Sequence, residues 1–470
     1  MIGGVDCGYT YEFTIWKTSD AKGSLTIMNF TGTNRSLQNR FLSLLIAALL
    51  YCTLGVVTAN ASGVDDINRA DFWVGNLQNP NAVIMNGNQI KRYNKEMLSK
   101  LPNINYDFKK FPKTIVNKDL QELLQANELP VGYVKGQKMS LDFRWRTLNN
   151  MNLAAVQSKN TVRWGIAVRR SSLRLYPTAD GIFDEPNDTE FDSLQATILN
   201  PGEAVAILHK STDNQWFFVQ SNTYRGWILA ADVAETSYKE WSKWQNPKVF
   251  LVVVAAKLNI QTDAENLLVE MGSHLPVLGK QDDRYIVKLP KRQEDGQVCF
   301  TKVAVPADEN VNLGDLPYTR ANIVKQAFKF YWQPYGWGGL NDSVDCSSFT
   351  MDIYRCFGFM MPRDADTQEV GVGKVWAVTP ANVESVLNKA LPGATLHMDG
   401  HVMLYLGRIG DSYYVINSLG SYGDNSNVGR DGLLARVPVM QVVTTDIKNT
   451  LRRNGKSFMD SLRTVKQWEY

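Results

Sequence analysis

The stretch GEAVAILHKSTDNQWFFVQSNTYRGWILAADV, residues 202–233, alternates apolar and polar residues between turn signals. A period of two puts successive side chains on opposite faces of a strand. The run therefore predicts short antiparallel strands closing into a small barrel. A fainter copy follows in GSHLPVLGKQDDRYIVKLP, where Gly272 matches Gly202, Asp283 or its neighbour matches Asp213, and Tyr285 matches Trp216. Two consecutive barrels are expected, at 151–240 and 241–308. They fill less than half of the 470-residue chain, a length that suggests about three or four domains.

The chain before the barrels divides in two. Arg35 and Arg40 precede an apolar run from Phe41 to Ala59, and Ala59-Asn60-Ala61 offers a small-x-small cleavage site. This is the pattern of a secretory signal, with Met28 as a natural start. Residues 1–61 are read as a leader, and the mature chain as exported to the periplasm or cell envelope. An uncleaved membrane anchor is the alternative, because the run is long for a signal. Residues 62–150 are polar and helix-leaning, with NQIKRYNKEMLSKL as the best amphipathic stretch. They are expected to form a clamp or packing segment without chemistry. The net charge of +3 leaves no footprint for nucleic acid.

Beyond the leader three cysteines remain, Cys299, Cys346 and Cys356, and an odd number leaves at least one thiol unpaired within the chain. On one helix Cys346 and Cys356 would lie about 15 Å apart along the axis, too far for a disulfide. No CxxC or HxxxH spacing lies near them, so neither a metal nor another cofactor is expected. Phe349, Ile353, Cys356 and Phe357 recur with helical period and define one buried face, which Gly358 is placed to end. Cys346 falls off that face, at the helix start, where free N–H groups and the dipole favour a thiolate. Upstream, residues 320–331 have helical periodicity, with Ile323, Ala327 and Phe328 on one side and Pro334 beyond.

A thiol nucleophile needs a base, and the chain has four histidines. His209 and His274 fall in the barrels. HVMLYLG and SYYVIN alternate like strands, and a hairpin symmetric about Ile409 pairs His401 with Asn417 on one face. His397 has the wrong register and is read as structural.

The ordered set YGWGG, DCSSF, MPRDADTQ, GHVMLYLG and VIN, over roughly residues 320–420, resembles the NlpC/P60 family of cell-wall cysteine peptidases. TYRGWILAADV resembles the end of a bacterial SH3 domain. The resemblance implies a multidomain fold: a helical N-terminal segment, two SH3-like β-barrels, and a papain-like α+β NlpC/P60 domain over 309–470. The architecture is similar to the γ-D-glutamyl-L-diamino acid endopeptidases, of dipeptidyl-peptidase VI type. By that resemblance Cys346 is the nucleophile, His401 the base and Asn417 the third polar residue, where relatives often carry His. It assigns substrate binding to Tyr335, Asp345, Ser347, Asp364 and, from the first barrel, Tyr224. Asp364 would bind a substrate's free amine; it also has the position of a helix N-cap. The implied partner is a peptidoglycan stem peptide, L-Ala-γ-D-Glu-diamino acid. Two other readings are a wall-binding protein with an inactive domain and an amidase or acyltransferase on the same fold.

Overall fold

The computed structural model describes residues 66–470 apart from Ala264 and Arg430, so the leader at 1–61 lies outside the described residues. Among the described residues no helix is long and apolar enough to cross a membrane.

The alternating run builds a seven-stranded antiparallel sheet. Its order is Val233–Thr236, Arg163–Ala167, Ala204–Lys210, Trp216–Gln220, Arg225–Leu229, Ser171–Arg174 and Gln195–Leu199. Val205, Ile207, Val219 and Ile228 fill one core. The other face is buried as well. Ala204, Ala206, Leu208, Trp216, Phe218 and Trp227 pack with Phe108, Ile115, Leu120, Leu124 and Phe143 from the segment before the sheet. The other face of these strands is thus covered by residues 108–156.

A five-stranded sheet follows, in the order Val298–Pro306, Arg284–Arg292, His274–Gln281, Phe250–Val253 and Val311–Leu313. With the hairpin Lys257–Gln261 and Asn266–Glu270 it encloses a core of Leu251, Val253, Ile260, Leu267, Val269, Leu275 and Val287. The two glycines aligned in the sequence, Gly202 and Gly272, both have left-handed backbone, with φ of 92° and 79°. This is the one conformation that a side chain would oppose.

The last unit is a six-stranded antiparallel sheet covered by helices. Its order is Lys374–Ala377, Leu462–Gln467, Thr395–Met398, His401–Ile409, Ser412–Val428 and Leu434–Asp446. The helix Cys346–Arg355 buries Phe349 and Ile353, and Cys356 and Phe357 continue the same buried face to Gly358 at φ 84°. The helix Arg320–Phe328 buries Ile323 and Ala327 but ends at Phe328. It stops well before Pro334 because the chain leaves it through consecutive turns at 329–333.

The segment 62–150 is not a domain of its own. It contains the helices Ala70–Gly75, Gly87–Lys100, Asn117–Leu124 and Leu141–Asn150, yet its apolar residues are shared out. Trp73, Ile90, Tyr93 and Met97 join the core that holds Phe349, Tyr354 and Trp468, and residues from Phe108 onward join the first sheet. Short amphipathic helices cannot bury their faces on one another here, so each borrows a neighbour's core.

Cys356 is fully buried, and its sulfur accepts a hydrogen bond from Gln326 Nε2 at 3.4 Å. Cys356→Ala is expected to cost on the order of 1–2 kcal/mol. A lowered urea midpoint with an unchanged m-value would report it, with turnover at saturation close to that of the wild type.

Candidate active site

The site begins with the cap of the Cys346 helix. Asp345 Oδ1 accepts from Ser348 N at 2.8 Å, and Ser348 Oγ accepts from Asp345 N at 2.9 Å, a reciprocal capping box. The cap is also a charge centre. Arg363 reaches Asp345 through Nη2 to Oδ2 at 2.6 Å and Nη1 to Oδ1 at 3.2 Å. Gly338 N donates to Oδ2 at 3.0 Å. Burial alone would raise the Asp345 pKa, but the Arg363 guanidinium and the Ser348 N–H override it and hold it below the usual carboxylate range.

This arrangement gives Asp345 and Ser347 a structural part at the helix start. Both are buried. Ser347 Oγ donates to Asp345 Oδ1 at 3.2 Å and accepts from Arg363 Nη1 at 2.8 Å. Their side chains organise the helix start. Arg363, which lies beside Asp364 in the quoted motif, is the residue that the sequence reading left without a role.

Cys346 opens a helix that packs on the strand His401–Ile409. Burial, and then the Asp345 carboxylate, push the thiol up to about 12, although the N–H groups of Val402 and Ser347 pull it back in part. The expected thiolate is therefore not the resting form. The helix start that should favour an anion already carries one, the Asp345 cap.

His401 Nε2 and Asn417 Oδ1 are 2.7 Å apart. The Asn417 amide nitrogen donates to Thr445 Oγ1 at 2.9 Å and to Val443 O at 3.3 Å. Its oxygen must then face His401, so Nε2 carries the ring proton and Nδ1 keeps the lone pair. Burial pushes the imidazole down to about 4, against the Asn417 bond that raises it. The contact forms despite a register that differs from the expected one. Leu404 faces Ile416 and Ile409 faces Ser412, with a bulge between Tyr405 and Gly407. Continuing the pairing past Leu404 sets Asn417 opposite Met403, two residues from His401. An offset of two keeps parity, so His401 and Asn417 share a face as a diagonal pair.

The first sheet lies along the edge of this site. Gln195 Nε2 donates to Gly338 O at 2.9 Å, and Arg363 Nε donates to Thr197 Oγ1 at 2.7 Å. Gly338 and Gly339 have φ of 54° and 86°, and a Cβ on either would come within 2.7 Å of Gln195 or Ile198. Close approach to the sheet explains the glycines of this loop. Tyr335 is buried beside Cys346, with Phe191 of the first unit packed on it at 5.9 Å.

Asp364 is the first residue outside the helix Ala365–Glu369, but its side chain makes no capping bond. Its carboxylate forms neither a hydrogen bond nor an ion pair among the described residues, and burial raises it to about 6 against the pull of Arg363. Tyr224 lies within electrostatic reach of it and is itself pushed up to about 12 by burial and by Asp364. The remaining histidines have other partners. His397 is buried between Ala365 O at 3.1 Å and Thr395 Oγ1 at 2.9 Å, His209 contacts Asn152 O at 3.0 Å, and His274 stacks on Phe250.

Comparison with known proteins bears on this geometry. Residues 332–424 match the family model for NlpC/P60, and residues 182–229 match that for the SH3 domain of SH3b1 type. The chain carries an NlpC/P60 domain and an SH3b domain. The NlpC/P60 family is in general one of cysteine peptidases and hydrolases. A curated relative is the gamma-D-glutamyl-L-lysine dipeptidyl-peptidase of Bacillus cereus, 28% identical over 158 residues. That match takes in 31% of this chain and 43% of the relative, less than half of its length. The fold is similar to that of an NlpC/P60 endopeptidase from Photobacterium damselae subsp. piscicida, with a TM-score of 0.69 at 17% identity, over 84% of this chain and 96% of that one.

A thiol held at about 12 sets the pH response of alkylation. In the wild type, the rate of Cys346 alkylation by iodoacetamide should keep climbing through the alkaline range. A plateau at neutral pH would show a low-pKa thiolate and contradict the geometry. Asn417→Ala should lower turnover by about 10- to 100-fold without abolishing it, because the ring loses its orienting acceptor but keeps its packing; steady-state kinetics would check this.

Proposed function

We propose that the protein is a cysteine peptidase hydrolysing the γ-D-glutamyl–diamino acid bond of peptidoglycan stem peptides that carry a free N-terminal L-Ala. The observation that carries this reading is the unpaired, half-buried carboxylate of Asp364, next in the chain to the arginine that holds the Cys346 helix start. A buried carboxylate without a partner is costly, and it becomes favourable when a cation arrives. The ammonium of an N-terminal residue is such a cation. Tyr224, from the SH3b domain, faces the same place and would limit what can extend beyond the amine.

The chemistry follows from the neutral pair. Cys346 attacks the γ-carbonyl carbon while His401 Nδ1 takes the thiol proton, so no free thiolate is needed beforehand. The imidazolium formed is held through Nε2–H by Asn417 Oδ1. It then gives its proton to the leaving amine of the diamino acid, and the acyl group stays on sulfur as a thioester. Water, deprotonated by the same nitrogen, releases the L-Ala-γ-D-Glu product and restores the thiol. Asn417 orients the ring, but as a neutral amide it does not offset the imidazolium charge.

The amine-pocket reading has a double test. Asp364→Asn should weaken cleavage of the free-amine peptide by about 2–4 kcal/mol in transition-state terms. N-acetylating the L-Ala should cost the wild type a similar amount, and the variant much less. The pH profile provides the second arm. Asp364 is ionised only above about 6, and His401 is a free base above about 4. The acid limb of kcat/KM should fall near 6 for the free peptide and move towards 4 for the acetylated one. Equal cleavage of both peptides by the wild type would refute the reading.

A further inference from the structure

The motif around Asp364 ends in Gln368, which the proposed chemistry leaves unused. Its side chain is fully buried and fully committed. Oε1 accepts from Thr350 Oγ1 at 2.7 Å, while Nε2 donates to Ser347 O and to Pro362 O, each at 2.9 Å. Ser347 and Thr350 belong to the helix that starts at Cys346. Pro362 stands two residues before Asp364. The backbone oxygen of Gln368 accepts from the buried Lys466 Nζ at 2.8 Å, on the strand Leu462–Gln467. One amide thus ties the helix bearing the thiol to the loop bearing the carboxylate, and the sheet holds it from behind.

A buried glutamine is often no more than a satisfied polar core residue. Here the partners argue for more. Those of the side chain lie on the two segments whose spacing the proposed reaction requires. An apolar side chain of similar volume would fill the space without needing any partner. The loop also needs an external anchor. The helix Ala365–Glu369 has only five residues and no side-chain cap, so it cannot hold Asp364 in place by itself.

We propose that Gln368 is a positioning residue that sets the span between the Cys346 thiol and the Asp364 carboxylate, and so matches the site to a substrate whose ammonium lies one dipeptide away from the scissile bond. The inference rests on the amine-binding reading of Asp364. A substrate held by Asp364 feels any change in that span at its reacting carbonyl. A substrate without the ammonium does not.

The test uses the full chain with two peptides, L-Ala-γ-D-Glu-L-Lys and its N-acetyl form. Gln368→Met keeps the volume and removes all three side-chain bonds. It should lose about 10- to 100-fold in kcat/KM on the free peptide, the scale of a misplacement near 1 Å, but less than about threefold on the acetylated one. Thr350→Val keeps the shape, removes one of the three Gln368 side-chain bonds together with the hydroxyl's contact to Ser347 O at 2.9 Å, and should show the same pattern more weakly. If thermal melting shows that Gln368→Met does not fold, Thr350→Val carries the comparison. Equal losses on both peptides would make Gln368 purely structural and overturn the proposal while leaving the Asp364 reading intact. If the wild type itself cleaves both peptides equally, the Asp364 reading fails and the proposal falls with it.

Discussion

The buried ion pair between Asp345 and Arg363 is the contact on which the site depends. It joins the cap of the Cys346 helix to the loop that carries Asp364. The same carboxylate holds the N–H of Gly338, and the same guanidinium reaches Thr197 in the first sheet. Four pieces of chain therefore meet at one pair of charges. Such a pair gains little over a well-packed apolar contact, yet losing one partner strands the other and costs about 3–5 kcal/mol. Its value lies in specifying geometry: only one docking of helix, loop and barrel satisfies every donor.

That solution has a chemical consequence. The carboxylate that orders the helix start also opposes a negative sulfur beside it, and burial adds to the effect. His401 is disfavoured as a cation for the same reason of burial. Burial thus favours the neutral form of both the thiol and the imidazole. In the proposed reaction their proton transfer would accompany attack, so that charge separates only in the reacting state, where substrate dipoles can offset it.

The SH3b domain is part of this machinery. It supplies Thr197 to the ion-pair network, Gln195 to the glycine loop and Phe191 to the ring of Tyr335. Tyr224 completes the edge near Asp364. The segment before the first sheet has a supporting part, since its apolar residues cover one face of that sheet and join the core behind the Cys346 helix.

Periodicity and residue type determined a good deal without any structure. The period of two in residues 202–233 fixed strands, and the helical period through Phe349, Ile353 and Phe357 placed Cys346 at a helix start with Cys356 inside. The alternation of HVMLYLG and SYYVIN put His401 and Asn417 on the two strands of one hairpin. Tertiary structure decided what parity and periodicity cannot express. The turn follows Ile409, which shifts the register by three from a hairpin symmetric about that residue, and the bulge at Leu406 takes back one, which returns His401 and Asn417 to a common face. Burial and the cap charge reversed the expected thiolate, because a pKa depends on every group within a few ångströms and not on chain position. Residues 62–150 read as one segment but were divided between two cores, as an amphipathic face does not name its partner. Arg363 and Gln368 gained their roles only when the loop met the helix, since a polar side chain in a sequence shows what it can bond and never what it will find.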